Sequence, residues 1–143
     1  MDVETILLVH AASTWAMVGL IWFVQVAHYP LFAAVGHAEF PRYQVWNVRA
    51  TSLVVGPLLA AEGASALGIL ALVGGGLAWT GAALLVLIWL STALLQVPCH
   101  ARLERGFDAA TARRLVQSNW LRTIGWTARG VCALGLLGAH GGA

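Results

Sequence analysis

The chain has 143 residues, of which 59% are hydrophobic and 10% charged, with a formal net charge of +2 and a mean hydropathy of +0.79. A soluble domain is about 45–50% apolar and about 25% charged, so this chain lacks the polar surface that a water-soluble globule needs, and it is too apolar to be disordered. The small charge, carried without a single lysine, argues against a nucleic-acid partner, and the length excludes two ordinary domains. An integral membrane protein remains.

A bilayer core of about 30 Å needs about 20 mostly apolar residues per spanning helix. Four stretches qualify: Ile6 to Val26, Thr51 to Val73, Leu77 to Val97, and Leu115 to Ala139. The runs are long and continuously apolar, unlike the short alternating segments of a barrel. The expectation is an all-α, single-domain integral membrane four-helix bundle of up-down-up-down topology. The first stretch is led by Asp2 and Glu4 rather than by Lys or Arg, so it reads as a retained helix and not a signal peptide. The first connection runs from His28 to Ala50. The second, Gly74-Gly75-Gly76, is a tight turn in residues that tolerate positive φ. The third runs from Pro98 to Arg114.

Arginines set the orientation. Arg42 and Arg49 fall in the first connection and Arg102, Arg105, Arg113 and Arg114 in the third, so the positive-inside rule puts both in the cytoplasm. Both termini are then on the non-cytoplasmic side, and a bacterial inner membrane is the expected location. The arginine-bearing stretch from Ala101 to Gln117 reads as an interfacial segment meeting anionic headgroups. Cys99 and Cys132 form no motif and read as two reduced, packed thiols.

Ionisable groups within hydrocarbon usually face the bundle interior and are functional candidates. Glu62 and Arg129 fall near the middle of the second and fourth spans, at comparable depth. Pairing them, or protonating Glu62, is the cheapest arrangement. A plain ion pair that fixes register is the structural reading; orienting a ligand or a proton is the functional one. Pro57 frees a carbonyl and kinks the helix nearby. Helical periodicity then puts His10, Thr14, Met17, Ile21, Gln25 and His28 on one face. Asn47, Thr51, Leu58, Glu62 and Ser65 share a second face. Leu85, Thr92, Gln96, Cys99 and Leu103 share a third, with His100 one turn after Gln96. Asn119, Arg122, Trp126 and Arg129 share the last. Turned inward, these stripes enclose a polar column richer than helix association requires. His28, Tyr29, Gln96, His100, Asn119 and Arg122 gather at its cytoplasmic end, Glu62, Thr92 and Arg129 in its middle, and His10 at its outer end.

Histidine serves as a general base or as a metal or haem ligand. His28 and His100 end adjacent helices where they could share a metal, although no zinc or di-iron spacing motif is present. His10 is the best single haem candidate, with His140 as a partner only if the C-terminus folds back. His37 reads as an exposed loop residue. Trp46, Trp79 and Trp120 fall at expected interfaces. Trp15, Trp22, Trp89 and Trp126 lie deeper, facing lipid or walling a pocket.

The run Gln96-Val97-Pro98-Cys99-His100-Ala101-Arg102-Leu103, followed by Asn119-Trp120-Leu121-Arg122-Thr123, resembles the anthrone-oxygenase-like family of small four-helix membrane proteins. The likeness covers the last third of the chain and the four-span layout. That family often carries Asn where this chain has Gln96 and His100. The resemblance implies oxidation of a phenolic or polycyclic substrate, with Gln96, His100, Asn119 and Arg122 lining the site. A fainter likeness, in layout and in the early His10, is to small membrane protoporphyrinogen oxidases.

The leading expectation is a small membrane oxidoreductase that holds a lipophilic substrate inside the bundle. In it His28 or His100 abstracts a proton, and Arg122 or Arg129 stabilises the resulting negative charge. His10, Tyr29, Glu62, Gln96, Asn119 and Arg129 bind the ligand. The cofactor is either none or a haem or metal ion on His10, His28 or His100. The alternatives are a haem- or metal-binding module or accessory subunit, and a structural or transport-like bundle. Membrane lipid and a second copy of the chain are the further expected partners.

Overall fold

The computed structural model describes residues 2–140, which form helices and turns without a strand among them. The first rod is α1 (Val3–Phe23), extended by a π-helical turn (Val24–His28). A short 3₁₀ turn (Pro30–Ala34) leads to α2 (Phe40–Leu72). The third rod is α3 (Gly75–Ser91), a second π-helical turn (Thr92–Gln96) and α4 (Val97–Leu103). The fourth is α5 (Ala109–His140). Three of the rods are long and apolar enough to cross a membrane: Val3–Ala34, Phe40–Leu72 and Gly75–Leu103. The fourth has the length, at 32 residues, but the polar and small residues it turns toward its neighbours lower its hydropathy.

Local chemistry accounts for the ends. Asp2 caps α1 by accepting from the Thr5 amide at 2.7 Å. Pro41 occupies the first turn of α2, where a missing N–H costs nothing. Gly74 and Gly75 take φ of 64° and 81°, so the expected glycine turn between α2 and α3 depends on residues without a Cβ. Asp108 opens α5 by accepting from the Ala110 and Thr111 amides and the Thr111 hydroxyl. That hydroxyl, first among several donors, holds the Asp108 carboxyl below the usual carboxylate range.

Two expected connections are shorter than the hydropathy pattern implies. α2 begins about three turns before Thr51, so Arg42, Asn47 and Arg49 lie on helix. The third rod continues past Val97 to Leu103. Hydropathy marks where a chain is apolar, whereas a helix continues into polar sequence as long as its backbone bonds are made.

α5 is the central rod, packed most extensively on α3 and α1, while α2 leans mainly on α1 and touches α3 less. Small residues bring α5 close. A Cβ on Gly125 would lie 2.9 Å from Ile88, one on Gly130 3.2 Å from Val18, and one on Gly135 3.1 Å from Leu77. Such small-residue contacts suit helices associating without a hydrophobic drive between them. The outer surface is apolar, with Leu53, Val26, Leu94 and Val131 among its exposed side chains. Trp15, Trp22, Trp46, Trp79, Trp89 and Trp120 are also outside; Trp126 alone of the seven is fully buried. Both cysteines are free thiols.

Gly125→Leu overpacks the α3–α5 seam and should cost about 1–3 kcal/mol, read as a lower unfolding midpoint in detergent. Gly138→Ala, which meets open space, should leave the midpoint unchanged or raise it. Asp108→Ala should lower the midpoint at neutral pH. Because the folded carboxyl is depressed, its contribution is full above the unfolded value of about 3.9 and lost as pH falls through the folded value. The difference between wild type and variant should therefore vanish in acid.

Candidate functional site

The four stripes face inward, and the polar groups on them form two separate compartments. The first is built around Glu62, which is fully buried on α2. Its Oε1 accepts from Ser13 Oγ at 2.5 Å and Thr14 Oγ1 at 2.7 Å, both on α1. Its Oε2 accepts from Arg129 Nε on α5 at 2.7 Å. Arg129 Nη1 donates to the Gly81 carbonyl on α3, where a Cβ would lie in ordinary contact with the guanidinium, at 3.5 Å. One ion pair thus ties all four rods together. His10 lies one turn away with Nδ1 2.9 Å from Ser65 Oγ. The Trp126 ring is 6.0 Å from the Arg129 guanidinium carbon, at the edge of cation–π range.

Next along the rods comes an apolar layer of Met17, Ile21, Leu85, Ile88 and Trp126, all buried. It interrupts the expected polar column. Among the described residues no hydrogen bond links the groups around Glu62 with those around His28.

Beyond the layer lies the second compartment, a cavity of about 380 Å³. Met17, Ile21, Val24, Val55 and Leu59 give it an apolar wall, and His28, Tyr29, Asn47, Gln96, His100 and Arg122 a polar one. The two π-helical turns fall here, in the segments carrying Gln25 and His28 and carrying Thr92 and Gln96. An extra residue in a turn rotates everything after it by roughly a quarter of a circle. Such bulges are frequent at functional sites. A second, apolar recess lined by Leu59, Ala60, Trp89, Thr92, Ala93 and Val97 shares Leu59, Thr92 and Val97 with the cavity. It lies on the outer face between α2 and the third rod, where helix packing is sparsest.

Hydrogen bonds order the polar wall. Asn47 Nδ2 donates to Gln44 Oε1 over a long 3.4 Å, and Gln44 Nε2 donates to His100 Nδ1 at 2.7 Å. His100 therefore carries its proton on Nε2, which lies 3.0 Å from the Tyr29 hydroxyl and donates to it. His28 Nε2 donates to Asn47 Oδ1 at 2.7 Å, which leaves His28 Nδ1 as the free, basic nitrogen. Behind the wall, Gln25 Oε1 accepts from Asn119 Nδ2 at 2.8 Å, and Asn119 Oδ1 accepts from Arg122 Nη1 at 3.1 Å. Gln96 Nε2 donates to Ser118 Oγ at 3.0 Å.

The expected site residues thus divide. His28, Tyr29, Gln96, His100 and Arg122 meet at one cavity, with Asn119 supporting Arg122. His10, Glu62 and Arg129 belong to the other compartment. His28 and His100 line the same cavity, but both His100 nitrogens are engaged within the protein, and His10 belongs to the compartment on the other side of the apolar layer. His140 Nδ1 lies against the Leu136 carbonyl of its own helix rather than near His10. Among the described residues no three His, Cys, Asp or Glu side chains gather in a metal-holding group. His37 is exposed, stacked edge-on to Phe107.

Sequence reasoning missed Gln44, Ser13 and Gly81. Gln44 was legible one turn before Asn47 on the same stripe, once α2 is extended back to Phe40. Ser13 lies three residues after His10, a legal helical step. Gly81 acts through its carbonyl, which leaves no trace in side-chain patterns.

Removing one partner of a buried ion pair strands the other charge, at about 3–5 kcal/mol. Glu62→Met and Arg129→Leu should each destabilise the detergent-solubilised protein by that order, while the two substitutions together should cost clearly less than their sum. A thermal-unfolding double-mutant cycle without coupling would show that the pair does not tie the rods.

Comparisons with protein-family models, with curated proteins and with solved structures find no match for this chain.

Proposed function

We propose that the chain is a four-span inner-membrane protein that holds a lipophilic small molecule in the cavity at its cytoplasmic end and oxidises it. In this reading α5 is the fourth span, the rods run up-down-up-down, and both termini lie outside the cytoplasm. Seven of the eight arginines, all but Arg129, then fall at the cytoplasmic end, as the positive-inside rule requires.

The observation that carries the proposal is the composition of the cavity wall. Its volume, about 380 Å³, is in the range of small-molecule sites, and it combines an apolar face with a few convergent polar groups. The recess at Trp89 and Val97 supports lateral arrival of a lipophilic molecule from the bilayer. An apolar layer sealing the cavity from Glu62 and Arg129 favours a binding site over a transport path.

The chemistry follows from hydrogen-bond roles. His28, with Nε2 donating to Asn47, has a basic Nδ1 and is the general base. His100, held between Gln44 and Tyr29, positions Tyr29 rather than taking a proton. Arg122 stabilises negative charge as it forms on the substrate. The resemblance to the anthrone-oxygenase-like family makes a phenolic or polycyclic compound the expected substrate and oxygen the expected oxidant. Glu62 and Arg129 are assigned to architecture.

The test is oxygen uptake by purified protein with anthrone as the probe, together with an optical spectrum and metal analysis of the same sample. Wild type should exceed the uncatalysed rate. His28→Ala should lower kcat about 10²-fold or more, and Arg122→Ala should do the same, with folding checked by size-exclusion chromatography. Activity unchanged in both variants would refute the cavity as the site. A Soret band or stoichiometric metal would move the reading to a cofactor-bearing module.

A further inference from the structure

The cavity has one corner made only of donors. Arg122 is nine-tenths buried there. Its Nη1 is used by Asn119, but its buried Nε has no partner. Among the described residues the ion pairs are Arg129 with Glu62 and Arg102 with Asp108, so Arg122 has no counter-charge. Glu104 lies on the same cavity wall without pairing to it. The contrast with Arg129 is informative. Arg129 meets a carboxylate on α2 and a carbonyl on α3; Arg122 meets only the neutral Asn119 amide and the Tyr29 hydroxyl. An uncompensated guanidinium in a low-dielectric interior is expensive unless something else supplies the negative charge.

Tyr29 lies beside that guanidinium. Its oxygen accepts from His100 Nε2 because Gln44 already donates to the other ring nitrogen. The Tyr29 hydroxyl proton is therefore left to donate elsewhere, and Tyr29 lines the cavity. A cationic donor and a hydroxyl donor thus share one corner, facing a wall of Ile21, Val24, Val55 and Leu59.

We propose that the cavity binds the anionic oxygen of a lipophilic acid, a carboxylate or phenolate on an apolar body, through Arg122 and the Tyr29 hydroxyl. This rests on the cavity being a ligand site, and adds the charge and polarity of what enters it. Gln44 and His100 are positioning residues that set the direction of the Tyr29 hydroxyl. The acid can arrive as a free molecule or as the phosphate of an anionic lipid, since both present the same acceptor.

The probes are 2-naphthoate and its neutral analogue 2-naphthalenemethanol, titrated calorimetrically against purified full-length protein in neutral detergent. Wild type should bind naphthoate about tenfold or more tighter, as expected when a charge-assisted hydrogen bond replaces a neutral one. Arg122→Gln should abolish this preference while leaving the neutral probe's affinity within about twofold. Arg122→Lys, which keeps the charge, should retain part of the preference. Tyr29→Phe should weaken naphthoate selectively. Arg102→Gln, at an exposed arginine, should change neither. Equal or tighter binding of the alcohol by wild type overturns the anion assignment and leaves the cavity as a ligand site. No binding of either probe overturns the ligand-site reading and this proposal with it. Repeating the titration in nanodiscs of phosphatidylglycerol against phosphatidylcholine separates the sources. Competition by phosphatidylglycerol assigns the anion to lipid, and its absence to a free acid.

Discussion

A carboxylate and a guanidinium held away from water must be paired, and in this bundle the pairing of Glu62 with Arg129 sets the position of everything else. The pair takes its remaining hydrogen bonds from Ser13, Thr14 and the Gly81 carbonyl, so each rod contributes. Leucine contacts tolerate sliding by a turn, because lipid and leucine are equally apolar; a buried charge does not. Moving any rod by one turn would break a charged hydrogen bond with no water to replace it. The rods are therefore held in register most firmly where no ligand cavity exists.

That register has a consequence further along. With Arg129 fixed against Glu62, Trp126 falls one turn away and closes the interior with Met17, Ile21, Leu85 and Ile88. Arg122 emerges on the far side of this layer, next to Tyr29 and His100. Two arginines on one helix face thus acquire different surroundings. One is neutralised by protein and reads as architecture. The other is left facing a cavity, which is why the proposed function centres on it.

The cavity end is also where the helices depart from regular geometry. The two π-helical turns carry the buried Gln25 and Gln96, with Tyr29 just after the first and His100 one turn after the second. A regular helix holds its own backbone bonds more favourably, so irregularity in two rods that line one cavity is in keeping with a site. The sparse packing between α2 and the third rod has the same location. Rigidity at the ion pair and looseness at the cavity fit a molecule that must hold its shape while admitting a ligand.

Much of this was legible in the amino-acid order. Apolar runs marked the long helices, because hydrocarbon tolerates little else. The stripes of His10, Glu62, Asn119 and Arg129 faced inward, because 3.6 residues per turn fixes which positions share a face. Depth and cost narrowed Glu62 to pairing with Arg129 or staying protonated, and the structure shows them paired. Tertiary structure decided the rest. It cut the polar stripes into two compartments, since whether Met17 and Trp126 meet depends on how rods cross and not on either rod's sequence. It brought Gln44 to His100 across 56 positions of chain, which determined which histidine keeps a free nitrogen. It enlisted Gly81 through a carbonyl that no side-chain pattern reports. Periodicity says which way a residue points; only packing says what it meets there.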